Sequence, residues 1–517
     1  MPVKSKVDRN QLQMISLEEM IREQSVARVI DLFCSSIDYE SLKFIMRGKS
    51  HEGKPAFEAS TLTAIYIYGY LNGIRSCRKL SKACKVNVEL WWLTGMQYPC
   101  YKTIANFRKD NAKAFKNLFD SFTKFCLELE LLGRTTIAID GSKFRAQNSK
   151  KNNYNLKKIN QHLDYIANQK ENYLEELDAN DANEDANVAS QSKHENLDKR
   201  KAKYEKLKQE LEASENTQIS TTDPDARALP LHMSIVEVAY NLQSAVDDKH
   251  NLIVDFDITN KNDFSALAPV GIQAKKVLEL EEEDVLTVLA DKGYYSGEQI
   301  AECHKHGLDT LVSPKNKGSK SKDPKVSKGN FQYSKESDNY TCPKGVTLHR
   351  QGKIYKRKDG IPFTRYVAHW TDCKSCPWLD ICVPSGCQKA SRGRTLNRNI
   401  YEDNMDKNDA EVAARKNEYK RRQAIVEHPF GTIKRQWGFT YTSLKGLKKV
   451  KGEFSIIMLC YNLRRLMTIL GIKDLKKALK PIKSCLLTMS AVIMRHDTEL
   501  MKKIYLPTPR YRVLGIS

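Results

Sequence analysis

This sequence predicts a mixed α/β fold with an all-helical N-terminal region, interrupted by a helical hairpin and a small cysteine-rich module. Three observations predict it. Residues 11–130 show helical apolar spacing with no alternating run, strand-like and helix-like segments alternate from about residue 231 to 313, and five cysteines crowd between Cys342 and Cys387. A chain of 517 residues exceeds one ordinary core, so roughly two to four domains are expected. Lys and Arg number 85 against 63 Asp and Glu, a net charge of +22 that concentrates polyanions around the chain. Nucleic acid is therefore the first partner to consider. No stretch approaches the run of about 20 apolar residues that spans a bilayer, and the N-terminus lacks a signal-peptide pattern. A cytoplasmic protein without membrane contact is expected, its 13 cysteines kept as thiols.

Taken in order, residues 1–130 read as a helical DNA-binding domain. Leu62, Ile65, Tyr66 and Tyr70 keep helical spacing, and the basic stretches Gly73–Leu80 and Tyr101–Arg108 suit a compact helical DNA-binding unit. Arg75 and Arg108 are its candidate DNA contacts; a bundle with a solvated basic face is the other reading. Residues 131–313 form the first part of an α/β core, whose opening strand Thr136-Ile137-Ala138-Ile139 ends in Asp140. A helical hairpin is inserted at 152–219: Leu156, Ile159, Leu163, Ile166, Tyr173 and Leu177 form one stripe and Leu197, Tyr204, Leu207 and Leu211 another, with an acidic, Asn-rich stretch between them. The core then continues with a strand at 250–256, a helix at 264–280, a strand at 284–290 ending in Asp291, a helix at 297–306 and a strand at 308–312.

Residues 314–400 combine a basic loop (314–330), read as solvated and without core-forming residues, with the cysteine-rich module. Cys342, Cys373, Cys376 and Cys382 suit tetrahedral zinc, with Cys387 as a fifth candidate. All-thiolate coordination leaves no position for water, so the zinc would be structural. A zinc-free set of thiols and an iron–sulfur cluster are the alternatives. Residues 401–470 are helical and basic and supply the second part of the core, and 471–517 form a C-terminal tail.

Asp140, Asp291 and Glu427 are the candidate catalytic residues. In an open α/β sheet, strand ends are where side chains from separate segments meet a ligand. Three carboxylates drawn together repel unless cations compensate, and an oxygen-only set suits Mg2+. Two such ions about 3.5–4 Å apart serve in-line displacement at phosphorus. Glu427 lies in Tyr419-x2-Arg422-x4-Glu427-x6-Lys434. If that segment is helical, Lys434 shares a side with Glu427 and can contact DNA backbone, Arg422 can hold a phosphate or position Glu427, and Tyr419 can stack on a base or cover the site. An exposed basic helix with a packing tyrosine is the plainer reading. Pro429 must kink this helix or start a new one.

At these residues the chain resembles the DDE-type transposases of bacterial insertion sequences. Ala138-Ile139-Asp140-Gly141-Ser142-Lys143-Phe144 resembles the first-Asp motif, Leu289-Ala290-Asp291-Lys292-Gly293-Tyr294 the second, and Val426-Glu427-His428-Pro429-Phe430-Gly431-x2-Lys434 the glutamate motif. The stretch Tyr240–Asp247 resembles the strand region after the insertion, Leu62–Arg108 the N-terminal helical domain, and the cysteine-rich module an insert found in some members. The resemblance implies a ribonuclease H-like catalytic fold in which Asp140, Asp291 and Glu427 bind two Mg2+ ions, or Mn2+. It also implies that Tyr419, Arg422 and Lys434 complete a Tyr-Arg-Glu-Lys signature. The sequence departs from that signature by one residue, with Gln423 and Lys420 in the usual places of the Arg and Tyr. The implied reaction is hydrolytic cleavage at terminal inverted repeats and transfer of the 3′-hydroxyl into target DNA, by a dimer or higher assembly on DNA. A non-catalytic regulator derived from a transposase is the runner-up. A nuclease without strand transfer and a coiled-coil scaffold are further alternatives.

Overall fold

The computed structural model describes residues 14–45, 56–148, 150–179, 184–214, 217–232, 235–315, 323–357 and 360–480. Six helices come first: α1 (Val26–Ser36), α2 (Ala59–Leu71), α3 (Cys77–Val86), α4 (Val88–Thr94), α5 (Tyr101–Asp110) and α6 (Ala112–Glu128). Side-chain caps start two of them, since Ser25 accepts from the Ala27 N–H at 3.0 Å and Asn87 from the Leu90 N–H at 3.1 Å. Almost every residue of α2 is buried, so this helix is apolar all round and is enclosed by its neighbours.

The central sheet is built from β1 (Thr136–Arg145), β4 (Arg227–His232), β5 (Ile235–Asp247), β6 (Ile253–Thr259), β7 (Leu286–Ala290) and β8 (Leu308–Val312). Between β1 and β4 lie the two-residue strands β2 (Asn153–Tyr154) and β3 (Ile219–Ser220), which pair at the base of a hairpin of α7 (Leu156–Ala179) and α8 (Glu184–Glu212). His162 stacks on Tyr204 and Lys170 pairs with Asp198, so the two helices run antiparallel. In the sheet β1 is antiparallel to β5 and β5 to β6, whereas β1, β7 and β8 run parallel, giving the order β6-β5-β1-β7-β8 with β4 continuing along the outer edge of β5. Strand β7 is buried at all five positions, as a parallel strand covered on both faces must be. Helices α9 (Leu267–Val277) and α10 (Gly297–Lys305) supply the crossovers.

The cysteine-rich region is a second sheet, which the sequence reading did not foresee. Strands β9 (Gln332–Ser334), β10 (Asn339–Thr341), β11 (Thr347–Lys356), β12 (Pro362–Ala368) and β13 (Thr395–Asn399) pair antiparallel in the order β13-β12-β11-β10-β9. Three short helices, α11 (Trp370–Cys373), α12 (Leu379–Cys382) and α13 (Ser385–Lys389), fill the β12–β13 connection. Residues 316–322 of the expected basic loop lie outside the described residues. The rest of the loop is not free of core contacts: Val326 is buried and its carbonyl accepts from Arg394 at 3.1 Å.

The chain returns to the central sheet through α14 (Glu402–Ala414), α15 (Lys416–Phe430) and α16 (Leu447–Leu479). Pro429 sits inside α15, and a π-helical turn, Gly431–Gln436, follows directly. Helix α16 is long and apolar enough to cross a membrane by length and composition, but Phe454, Ile456, Ile457, Met458 and Leu459 are buried in the core. It packs so closely on α6 that a Cβ on Gly452 would lie 2.5 Å from the Ala112 Cα. The expected tail boundary at 471 shifts: the helix breaks at Gly471 (φ 73°), yet Leu475 and Leu479 are buried, and residues from 481 on lie outside the described set.

One continuous apolar cluster joins the N-terminal helices, the central sheet and α16, while the second sheet and the hairpin base have clusters of their own.

Candidate functional site

Asp140 and Asp291 come together because β1 and β7 are parallel neighbours. Ile139 lies opposite Ala290, so Asp291, the first residue past β7, comes level with Asp140; β1 does not end at Asp140 as expected but runs on to Arg145 along β5. Asp291 then caps a short turn, accepting from the Gly293 N–H at 2.6 Å. Burial pushes the Asp140 carboxyl up to about 6; the Arg422 cation and the Gly141 N–H pull it down, while the negative charges of Asp291 and Asp263 raise it.

Asp263 is a third acid at this site, one that the sequence reading missed. Its Oδ1 accepts from Asn241 Nδ2 and Gln243 Nε2, both at 2.7 Å, and its Oδ2 from Lys143 Nζ at 3.4 Å. Tyr294, in the turn after Asp291, donates to Gln243 Oε1 and closes the network. Gly141 is required here, because a Cβ at that position would collide with the Asp263 carboxylate. Asn241 and Gln243 are fully buried at alternate positions of β5. Two amides on one face of an apolar strand were the signal that could have pointed to a polar site there.

Glu427 is not brought to this pair. Its side chain is exposed and accepts from Gln423 Nε2 at 2.8 Å. No group of three His, Cys, Asp or Glu side chains among the described residues is set to hold one ion, so the expected meeting of three carboxylates is not present in this arrangement. The reason is helical geometry: Arg422 and Glu427 are five residues apart, roughly 140° around the axis, so the face that turns Arg422 to Asp140 turns Glu427 away.

The other expected DNA contacts divide into two groups. Arg422 lies beside Asp140, as its effect on that carboxyl requires. Lys434 is half-buried: its Nζ donates to the Lys143 carbonyl at 2.8 Å and sits 4.3 Å from the Phe144 ring. Burial pushes its amine down to about 8, with Asp140 opposing and Lys143 reinforcing the shift. Tyr419 is half-buried and packs on the central cluster. Arg75 and Arg108 require correction as DNA contacts, because both are buried against Glu453 of α16, at 3.0 and 3.7 Å. A guanidinium so enclosed neutralises its carboxylate and has no phosphate within reach.

In the second sheet, Cys342, Cys373, Cys376 and Cys382 line one cavity of about 30 Å3 with Leu348, Ala368 and Val383. Burial pushes the Cys373 and Cys382 thiols up, and the neighbouring thiols raise them further. The four share a cavity without being drawn into ligating distance, while Cys387 packs at its side.

A transposase DDE domain family matches residues 237–463, and a second family, described as a transposase domain (DUF772), matches residues 14–110. The first match contains Asp291 and Glu427, and Asp140 lies between the two. No curated protein matches the chain. A solved structure of piggyBac transposase, a synaptic complex with hairpin DNA, aligns over 93% of this chain and 82% of its own at 9% identity and a TM-score of 0.30, too weak a likeness to carry an argument. Both family matches name the same activity, one across the N-terminal helices and the other from β5 into α16: the chain belongs to the DDE-type transposases of insertion sequences.

Proposed function

We propose that this transposase cuts DNA at the terminal inverted repeats of an insertion sequence and joins the freed 3′-hydroxyl to target DNA. In this reading Asp140, Asp291 and Glu427 hold two Mg2+ ions, or Mn2+, on a ribonuclease H-like sheet. The observation that carries it is the pair of carboxylates, Asp140 within β1 and Asp291 just past the end of the parallel strand β7, level with one another and with Arg422 beside Asp140. The strand order β6-β5-β1-β7-β8, two antiparallel pairings followed by two parallel ones, is consistent with that fold.

Two carboxylates facing one another fit a hard divalent cation, which takes one or two such ligands and completes its shell with water and phosphate oxygens. When bound, the ions would activate the attacking oxygen and stabilise charge at phosphorus. The chain's own groups do the rest. Above about pH 6 Asp140 is ionised and competent as a ligand. Arg422 offsets the clustered negative charge, and the Asn241–Gln243–Asp263–Lys143 network fixes the floor under β1. Glu427 joins the pair only if its side chain leaves Gln423 and α15 turns, and the π-helical turn immediately after it is the place where the helix can absorb such a change.

The four thiols of the small cavity fit structural zinc, whose tetrahedral set takes four sulfurs and whose charge would offset the burial that disfavours the Cys373 and Cys382 thiolates.

The exposed position of Glu427 favours a second reading, a DNA-binding regulator that has lost the reaction. A nicking assay with Mg2+ on DNA carrying the element ends separates the two. Asp140→Ala should abolish nicking while end binding stays within a few-fold of the parent; nicking retained by the purified variant rules out the assignment.

A further inference from the structure

The second sheet has two unlike faces. One packs Leu348, Tyr366, Ala368 and Leu396 over the thiol cavity. On the other lie the alternate positions of β12 and β13: Phe363, itself buried, opposite Asn399 and beside the half-buried Tyr355 of β11, and Arg365 opposite Asn397. This second face opens into a cavity of about 660 Å3 lined by Lys328, Lys356, Arg357, Phe363, Asn397, Asn399 and Glu402, a size within the range of about 300–1,000 Å3 usual for ligand sites. Tyr355 and Phe363 stack with centroids 5.5 Å apart and planes at 23°, and the Arg365 guanidinium lies 4.3 Å over the Tyr355 ring. The Nε of Arg365 is buried without a hydrogen-bond partner. Lys353 and Lys356 of β11 are both exposed, and Lys356 lines the cavity. Among the described residues that line the cavity the one acid, Glu402, is neutralised by Lys328 at 2.6 Å.

We infer that this open face binds a strand of DNA, with phosphates along Lys353, Lys356 and Arg357 and a base against the Tyr355–Phe363 pair. Stacked aromatics rimmed by cations and amides recognise a nucleic acid strand with little regard to sequence, because every base has a π-face and every linkage a charge. Charge complementarity decides for a polyanion: residues 323–400 hold 15 Lys and Arg against 6 Asp and Glu. Position decides for DNA over an acidic peptide. Two residues after β13, Tyr401 and Met405 pack against Gly297, and Tyr295 donates to Asp409 of the same helix at 2.9 Å, so the wall of the cavity is anchored to the loop that follows Asp291. On this side Lys315, 4.8 Å from the exposed Phe264 ring, donates to the Tyr295 carbonyl at 3.4 Å and adds a further cation to the loop that follows Asp291. The inference rests on the DNA-cutting function proposed above and extends it: a strand held at the cavity continues toward the carboxylate pair.

The test is fluorescence anisotropy of the full chain with a labelled single-stranded oligonucleotide of random sequence, over a series of KCl concentrations. Lys353→Glu with Lys356→Glu should bind about tenfold more weakly at moderate salt, with a slope of log affinity against log salt shallower by about 1.4, two phosphate contacts' worth. Tyr355→Leu should weaken binding about fivefold with the slope unchanged, since stacking releases no counterions. Both should melt with the parent, and Lys353→Gln with Lys356→Gln replaces the charge reversal if it does not. Parental affinity and slope in the variants, where the parent binds, overturn this surface and leave the carboxylate site untouched. A parent that binds no DNA overturns both. Loss of a polyglutamate probe with DNA binding unaltered assigns the face to acidic protein and overturns the inference.

Discussion

Glu453 is fully buried in α16; burial alone would raise its carboxyl, but Arg108 and Arg75 hold it below the usual range. A buried ion pair adds little over a well-packed apolar pair, but removing one member strands the other. Glu453→Gln should therefore cost about 3–5 kcal/mol in urea unfolding, because two guanidiniums are left without a counter-charge; a cost under about 1 kcal/mol would show that they find water or other partners. Asp247 is the opposite case. Burial pushes its carboxyl up to about 6, against the N–H groups of Gly133 and Lys249 that lower it. Its folded pKa exceeds the unfolded value of about 3.9, so its contribution is complete below about pH 4 and is lost as pH rises through about 6. Asp247→Asn should remove that fall, worth about 3 kcal/mol. Melting of variant and parent at pH 4 and pH 7 checks it, and a difference that does not change with pH counts against it. Site legibility follows the same local logic. Asp140 and Asp291 each close an apolar run and were readable. Asp263 follows a polar turn like many other acids, and its role depends on β5 amides that only pairing brings to it. Spacing along α15 gave Arg422 and Glu427 as neighbours in sequence, whereas which helix face meets the sheet is decided by Ile425, Val426 and Pro429, all buried.

At the scale of elements, β1, β6, β7 and β8 were legible from short, mostly apolar runs, whereas β4 was not read and β5, interrupted by Asn241, Gln243 and Ser244, was reached only through the resemblance. Strands β9 to β13 were not, because their sheet is solvated on one face and half of their residues are Lys, Arg, Asn, Thr or Tyr. The N-terminal helices were legible as helices, but their burial was not: nothing in a basic turn shows that a glutamate more than 300 residues away will claim its arginine. The cysteine module depends on a small cluster, Tyr340, Leu348, Tyr366, Ala368, Val383 and Leu396 among its buried members. So few apolar side chains leave a module of this size short of stability, and a metal tie is the usual remedy. Purified chain should carry one zinc, and Cys376→Ser should lose it and render the second sheet protease-sensitive while the central sheet stays protected. Metal-free protein with the same protease pattern would show that the thiols pack as ordinary apolar groups.

For the whole molecule, the central question is whether the N-terminal helices form a separate DNA-reading domain. Their packing argues that they do not. Helix α6 lies directly on α16, with Gly452 against Ala112, and Phe119 meets Phe256 of β6 at 5.1 Å. Arg75 and Arg108 supply the only charges found beside Glu453 among the described residues, and the ring of Phe439 lies 4.8 Å from Arg75. A fragment ending near residue 130 would therefore expose the apolar face of α6 and bury two unpaired guanidiniums. It should fail to fold alone, giving a collapsed amide spectrum and no cooperative melt, and the full chain should lose the helices and the central sheet in one transition. The measurement is scanning calorimetry with a fluorescence probe at Trp91 or Trp92 in α4, followed alongside far-ultraviolet circular dichroism. Coincident transitions fit one core. If the tryptophan signal melts apart from the sheet, or the fragment folds with dispersed amide resonances, the helices are an independent module, and their basic turns regain the freedom to approach DNA that packing against α16 otherwise denies them.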